Sequence, residues 1–216
     1  MKKINFYHSK FHVHTGFALL VLFILCYTIP NQLEWISPSA VPEVFIDRII
    51  PFQPHWVWIY LFTYVYVVLT YFFVLDKSSA KIFVNTFVLA SLLGGVVFFF
   101  FPTTIFRELY PLNPNTDLSS LMLYYMRSID KPKNCIPSFH IALTFATTAS
   151  LYLHSGKKRI LGIVFGVLIA YSTMAVKQHY FLDVFSGMAL GSSMFFIVYF
   201  STQKEESSSL GINPVA

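Results

Sequence analysis

Six stretches of this chain are almost wholly apolar, near residues 14–29, 55–75, 81–101, 138–154, 159–175 and 179–200. A helix rises about 1.5 Å per residue, so about 20 residues cross the roughly 30 Å hydrocarbon core of a bilayer. Each stretch lies in or near that range. A spanning backbone can satisfy itself in hydrocarbon as a helix or as a closed barrel. The runs are continuously apolar, without the period-two alternation of barrel strands, so the pattern selects helices. The sequence therefore predicts an all-α, polytopic membrane protein with six transmembrane helices. Composition agrees: 56% of the 216 residues are hydrophobic and 12% are charged, about half the charged share of a soluble domain. The net charge of +5 is scattered between the spans, which argues against a nucleic-acid partner. Cys26 lies within a span and Cys135 in a connection, so both read as ordinary thiols rather than a disulfide.

Orientation follows from the connections. Nine basic residues sit at the N-terminus (Lys2, Lys3, Lys10), in the 76–81 turn (Lys77, Lys81), in the 157–159 turn (Lys157, Lys158, Arg159) and in the tail (Lys204). The other six, Arg48, Arg107, Arg127, Lys131, Lys133 and Lys177, are spread over longer connections with seven acids. The first set is expected in the cytoplasm, with both termini, and loops 30–54 and 102–137 outside. Trp35, Trp56 and Trp58 suit an aromatic belt on that outer side. The first span follows lysines without a convincing cleavage site and reads as a retained signal anchor. Residues 1–80 then form an N-terminal pair of helices with an outer loop, 81–200 a catalytic four-helix membrane core, and 201–216 a disordered cytoplasmic tail. The glycine pairs of "GIVFG" (162–166) and "GMALG" (187–191) allow close helix approach. They predict packing of the fifth span on the sixth within a monomer, with a homodimer as the alternative. His8, His12 and His14 read as a solvated or headgroup-contacting segment rather than a metal site, and "FIDRII" (45–50) as a plain connecting loop, with a short amphipathic interfacial piece as the alternative.

Polar residues stand where the apolar runs begin. "KNCIPSFH" places Pro137, Ser138 and His140 at the mouth of the fourth span, and "KQHYFLDV" places His179 and Asp183 at the mouth of the sixth. Two crossings separate them, so both groups reach the outer face. His179 and Asp183 are i and i+4, on one helical face, where a carboxylate can orient an imidazole and stabilise its cation. An ionisable pair beside hydrocarbon is costly and therefore rarely idle. Ser138 suits a helix cap, and the free N–H groups of a helix start bind anions. Arg107 follows the outer end of the third span. Two histidines, one oriented by Asp, with an Arg and an anion-binding helix start, suit phosphate-ester chemistry: one imidazole attacks phosphorus and the other protonates the leaving oxygen. No acidic cluster suited to Mg²⁺ stands on the outer face, so a metal-independent reaction with no cofactor is expected.

These residues resemble the motifs of the type-2 phosphatidic acid phosphatase superfamily. Pro137, Ser138 and His140 match its Pro-Ser-Gly-His motif, with Phe139 in the Gly place. Ser172, His179 and Asp183 match its Ser-Arg-x5-His-x3-Asp motif, with Thr173 in the Arg place. Arg107 keeps one residue of the upstream Lys-x6-Arg-Pro motif, where Phe100 and Glu108 replace the others. The forms "NxxPSxH" (Asn134 to His140) and "QHYxxDV" (Gln178 to Val184) are closest to the inositol phosphorylceramide synthase-like branch. The resemblance covers residues from about 81 to 200. It implies His179 as nucleophile, Asp183 as its orienting partner and His140 as general acid. Arg107, Ser138 and Lys177, the last a substitute for the absent Arg, are the expected phosphate-binding groups. It further implies a membrane phospholipid or lipid phosphate as substrate, and a bacterial inner membrane with the site facing the periplasm or exterior. The activity is then hydrolysis of a lipid phosphate ester, or transfer of a phospho-headgroup between lipids. A remote alternative is a redox protein using His140 and His179 as axial haem ligands.

Overall fold

The computed structural model describes residues 6–33, 35–154 and 156–209, without the side chains of residues 6–12 and 209. Lys2, Lys3, and the side chains of Lys10, His8 and His12 lie outside the described residues. Nine α-helices are described: α1 (Phe6–Phe23), α2 (Ile29–Gln32), α3 (Phe45–Ile49), α4 (Val57–Leu69), α5 (Lys77–Phe100), α6 (Leu118–Ile129), α7 (Phe139–Tyr152), α8 (Lys157–Ala175) and α9 (Phe181–Ser209). A π-helical turn, Ile24–Thr28, joins α1 to α2 without a break, and another, Thr70–Val74, prolongs α4. Five helical segments among the described residues are long and apolar enough to cross a membrane: Val13–Gln32, Pro54–Val74, Lys77–Phe100, Lys157–Ala175 and Phe181–Ser208. The chain is a multi-pass membrane protein.

The expected fourth crossing is α7, and it differs from the rest. It has 14 residues, about 21 Å of helix, well short of about 30 Å. Most of its residues are buried, because α5, α8 and α9 all pack on it. Its polar positions turn inward: Thr144, Thr147 and Ser150 each return a hydroxyl to the carbonyl four residues back, at 2.7–2.9 Å. That bonding satisfies a hydroxyl without any outside partner.

The glycine pairs act differently from expectation. Neither pair chiefly joins α8 to α9; both face α7. A Cβ on Gly162 would stand 3.1 Å from the Leu151 side chain, and one on Gly166 would stand 2.9 Å from Thr148 Oγ1. On α9 the approach is closer still. A Cβ on Gly187 would lie 2.3 Å from the Ser138 carbonyl oxygen, and one on Gly191 would lie 2.1 Å from that of Ala142. Those neighbours are backbone, so no rotamer change relieves the clash. The short α7, packed against both α8 and α9, is what the small residues serve.

Caps set the other starts. Asp76 accepts the Ser79 N–H at 2.9 Å and opens α5; Asp117 accepts the Ser120 N–H at 3.0 Å and opens α6. Helix α6 and the short pairing of Ser39–Ala40 with Thr103–Thr104 lie in connections that sequence reading left as loops. The signal for α6 is legible: Leu118, Leu121, Met122, Tyr125, Met126 and Ile129 repeat at helical spacing. Leu123 packs on Val57 and Tyr60, while Leu118, Tyr125 and Ile129 stay exposed, as on an interfacial helix. At the C-terminus, α9 continues to Ser209, so residues 201–209 are helical where a disordered tail is expected. Residues 210–216 lie outside the described residues.

The basic turns share one end of the bundle. Lys158 Nζ, at the start of α8, donates to the Val74 carbonyl at 3.1 Å, beside the turn that leads into α5. The starts of α7 and α9 lie at the other end, with Trp56 and Trp58.

Candidate active site

The turn between α8 and α9 is tight. The N–H groups of Gln178 and His179 both reach the Thr173 carbonyl, at 3.0 and 3.2 Å, and Lys177 takes a left-handed φ of 53°. Glycine usually fills that position after a helix. Here the Lys177 side chain holds the turn: Nζ donates to the Asp47 carbonyl and, at 2.7 Å, to that of Ile50, and lies 5.0 Å from the Tyr110 ring centre. It is 2% exposed, and burial pushes its pKa down. Asp47 completes the clamp: Oδ1 accepts the Phe181 N–H at 2.7 Å, while Oδ2 accepts that of Val44 at 3.0 Å. The short α3, in a stretch expected as a plain connecting loop, thus grips the start of α9.

One oxygen of Asp183 has two tasks. Oδ2 accepts the Tyr180 N–H at 2.8 Å, closing the first turn of α9, and lies 3.4 Å from His179 Nδ1. That distance is long for a hydrogen bond; catalytic contacts of this kind often tighten only with substrate bound. The α7 start is stitched to the same residue, since the Ser138 N–H donates to the Asp183 carbonyl at 3.0 Å. Ser138 has extended geometry (φ −61°, ψ 114°) and its hydroxyl accepts the Ile141 N–H at 3.4 Å, so it stands at the cap. With Gly187 against Ser138, these contacts bring the two imidazoles together: the ring centres of His140 and His179 are 5.7 Å apart.

His140 has partners that sequence reading missed. Its Nε2 faces the hydroxyls of Tyr64 at 2.7 Å and Tyr60 at 3.2 Å. Tyr27 lies edge-on to the same ring, at 5.6 Å between centres. Tyr27 also donates to Asp130 Oδ1 at 2.9 Å, and Asp130 binds Arg107 through its carbonyl and, at 3.6 Å, through Oδ2. An iron bound at His140 Nε2 would have to displace the tyrosines. The available signal was Tyr60 and Tyr64 at i, i+4 on one apolar helix.

Two guanidiniums stand close behind. Arg127 donates to the Tyr110 carbonyl at 2.9 Å and to the Val176 carbonyl at 3.1 Å. Burial and repulsion from Arg107 pull its pKa down to about 10, so it stays cationic at neutral pH. Asn31 ties the preceding loop, donating to the Lys131 carbonyl at 3.0 Å and to that of Lys133 at 3.3 Å. Asn134 takes a left-handed φ of 60° and donates to the Tyr27 carbonyl at 3.1 Å.

Buried polar atoms without a partner are uncommon in folded proteins and mark places to explain. Among the described residues they gather here: His140 Nδ1, His179 Nδ1, Asp183 Oδ1, Asn134 Oδ1, both amide atoms of Gln178 and the Nε atoms of Arg107 and Arg127. No group of three or more His, Cys, Asp or Glu that could hold a metal ion occurs among the described residues.

A bundle of apolar helices carrying buried, paired histidines at one end defines the class: a membrane protein with a polar, histidine-bearing cluster recessed between its helices. Residues 45–197, more than half of the chain, match the PAP2 superfamily, and the chain belongs to it. Members of that superfamily are typically phosphatases or phosphotransferases. No curated protein and no solved structure matches the chain.

Proposed function

We propose that the protein hydrolyses a lipid phosphate ester at the outer leaflet through a phosphohistidine. The observation that carries this reading is the pairing of His179, beside Asp183, with His140, beside Tyr60 and Tyr64. The Nδ1 of His179 lies near the carboxylate, which leaves Nε2 to attack phosphorus. The N–P bond forms as the P–O bond breaks, and the departing oxygen takes a proton from His140, directly or through the Tyr64 hydroxyl. Asp183 stabilises the imidazolium character that develops. Water then attacks phosphorus and the P–N bond breaks, releasing phosphate and freeing His179, while the proton lost by water returns to His140. Arg107 and the α7 start that Ser138 caps hold the phosphate oxygens, with the Gln178 amide within the same turn as His179. Lys177 serves the site by fixing the turn, since its ammonium is committed to carbonyls.

One observation favours transfer over hydrolysis as a second reading. His140, His179 and Asp183 are 2%, 3% and 0% exposed. So dry a site suits a hydroxyl-bearing lipid as acceptor, as in the inositol phosphorylceramide synthase-like branch, because it limits competing water. Purified protein incubated with a panel of lipid phosphates and phospholipids, with and without alcohol acceptors, separates the two. Hydrolysis releases phosphate without an acceptor; transfer requires the acceptor and yields a new lipid. No product under any condition would sink both.

We also read α7 as a sixth crossing, completed by its neighbours, with the basic turns and both ends of the chain cytoplasmic, in a bacterial inner membrane. Ser78 is exposed in the first turn of α5, beside the basic residues Lys77 and Lys81. Ser78→Cys should stay unlabelled by an impermeant thiol reagent on intact cells and react once the cells are opened. Ready labelling on intact cells would invert the orientation and put the histidines inside.

A further inference from the structure

Helix α1 packs on α5, and α4 packs on α7 and α8, but α1 and α4 do not pack extensively on each other. Between them runs a groove of about 320 Å³, floored by α5 and α7. That volume lies at the small end of the roughly 300–1,000 Å³ of ligand pockets. Its lining is apolar almost throughout, and His140 lines one end.

Three walls agree on direction. Away from His140 the lining descends from Phe23 to Gly16 on α1, from Tyr64 to Phe72 along α4 and its π-helical turn, and to Phe83 on α5. From Tyr64 to Phe72 is about 12 Å of helix. The groove closes where α1 meets that turn: a Cβ on Gly16 would lie 2.9 Å from Phe72 Cζ. It therefore runs from the histidine-bearing end toward the middle of the bundle, the course of a hydrocarbon chain whose polar head rests at that end. Leu20 and Val68, lining the same groove, are 53% and 51% exposed on the face that meets lipid.

One polar side chain in the lining is unexplained by the fold. Thr63 is 3% exposed and its hydroxyl has no partner among the described residues. Thr86 on α5 and Thr144 and Thr147 on α7 instead donate to the carbonyl four residues back. Thr63 sits next to Tyr64, at the end of the groove that His140 lines.

We propose that this groove holds one hydrocarbon chain of the substrate lipid, admitted sideways from the bilayer between α1 and α4. Thr63 donates to the first oxygen of the linkage between chain and phosphate. The substrate class is a lipid phosphate whose chain begins within a few bonds of phosphorus. This rests on the lipid-phosphate reading above.

The test compares two phosphatidic acids, dioleoyl and dihexanoyl, on full-length protein in nanodiscs. Val67 and Leu20 line the middle of the groove, and Val67→Trp and Leu20→Trp each fill it. Each should lower the ratio of kcat/KM for the long lipid over the short one at least tenfold. An unchanged ratio in both overturns the groove and leaves the phosphoryl chemistry standing. A second measurement needs neither turnover nor the tryptophan variants. His179→Ala protein is photolysed with a long-chain phosphatidic acid bearing a diazirine in the middle of the chain, at the depth where the groove closes. Label should fall on peptides holding Gly16, Phe72 or Phe83 and be suppressed by excess unlabelled lipid; label confined to the outer surface of α8 or α9 overturns the proposal. If the wild type releases no phosphate from either lipid, the catalytic reading fails, while the position of the label still decides the groove.

Discussion

His179→Ala should lose lipid-phosphate turnover by roughly 10⁴-fold or more, the scale on which removal of an attacking group acts. Burial and packing around His179 leave no second imidazole in its place, since His140 is held on α7 by Tyr60 and Tyr64. Wild-type protein quenched in alkali during turnover of a labelled substrate should carry base-stable, acid-labile phosphate, and His179→Ala should carry none. Asp183→Asn should fall between, by roughly 10²–10⁴-fold, because it removes the charge that stabilises the imidazolium and can misorient the ring. It also weakens the first turn of α9, where Oδ2 accepts the Tyr180 N–H. Retention of helix content by circular dichroism therefore accompanies the measurement. Substantial turnover by His179→Ala would remove the nucleophile and with it the phosphohistidine.

His140→Ala should behave differently with different leaving groups. An alkoxide leaving group is strongly basic and needs a proton as the P–O bond breaks; an aryl oxide needs little. Loss of a general acid costs roughly 10²–10⁴-fold where protonation matters. On an alkyl lipid phosphate the variant should lose that much, and on an aryl phosphate less than about tenfold. His179→Ala should lose both alike. Equal losses for both substrates in His140→Ala would strip His140 of the acid role and turn attention to Tyr64, 2.7 Å away.

The spacing of His179 and Asp183, and the Pro137–Ser138 helix start, were legible because they are local: i, i+4 geometry and cap chemistry do not depend on the rest of the chain. So were the apolar spans, which answer to bilayer thickness. What was not legible depends on contacts across long sequence distances. Tyr60 and Tyr64 read as ordinary residues of an apolar span until α7 lies beside α4, 80 and 76 positions away. Lys177 reads as a free cation until α3 supplies carbonyls for it. The glycine pairs announce close packing but not the partner, and two equally good candidates, a neighbour in sequence and the buried α7, compete for them. The family's Arg place holds Thr173, whose hydroxyl turns back to the Ala170 carbonyl at 2.8 Å and so supplies no cation there.

The grip of α3 on the start of α9 has a consequence for biogenesis. Asp47 is 1% exposed, and its partners Lys177 and Phe181 leave the ribosome 130 and 134 residues after it. Until then the α3 carbonyls and one carboxylate oxygen lack these partners, and the turn bearing His179 does not exist. The turn can dock against α3 only once residues 177–181 have been made, so the pair of His140 and His179 cannot assemble on a nascent chain that stops short of them, whatever its earlier helices have already achieved.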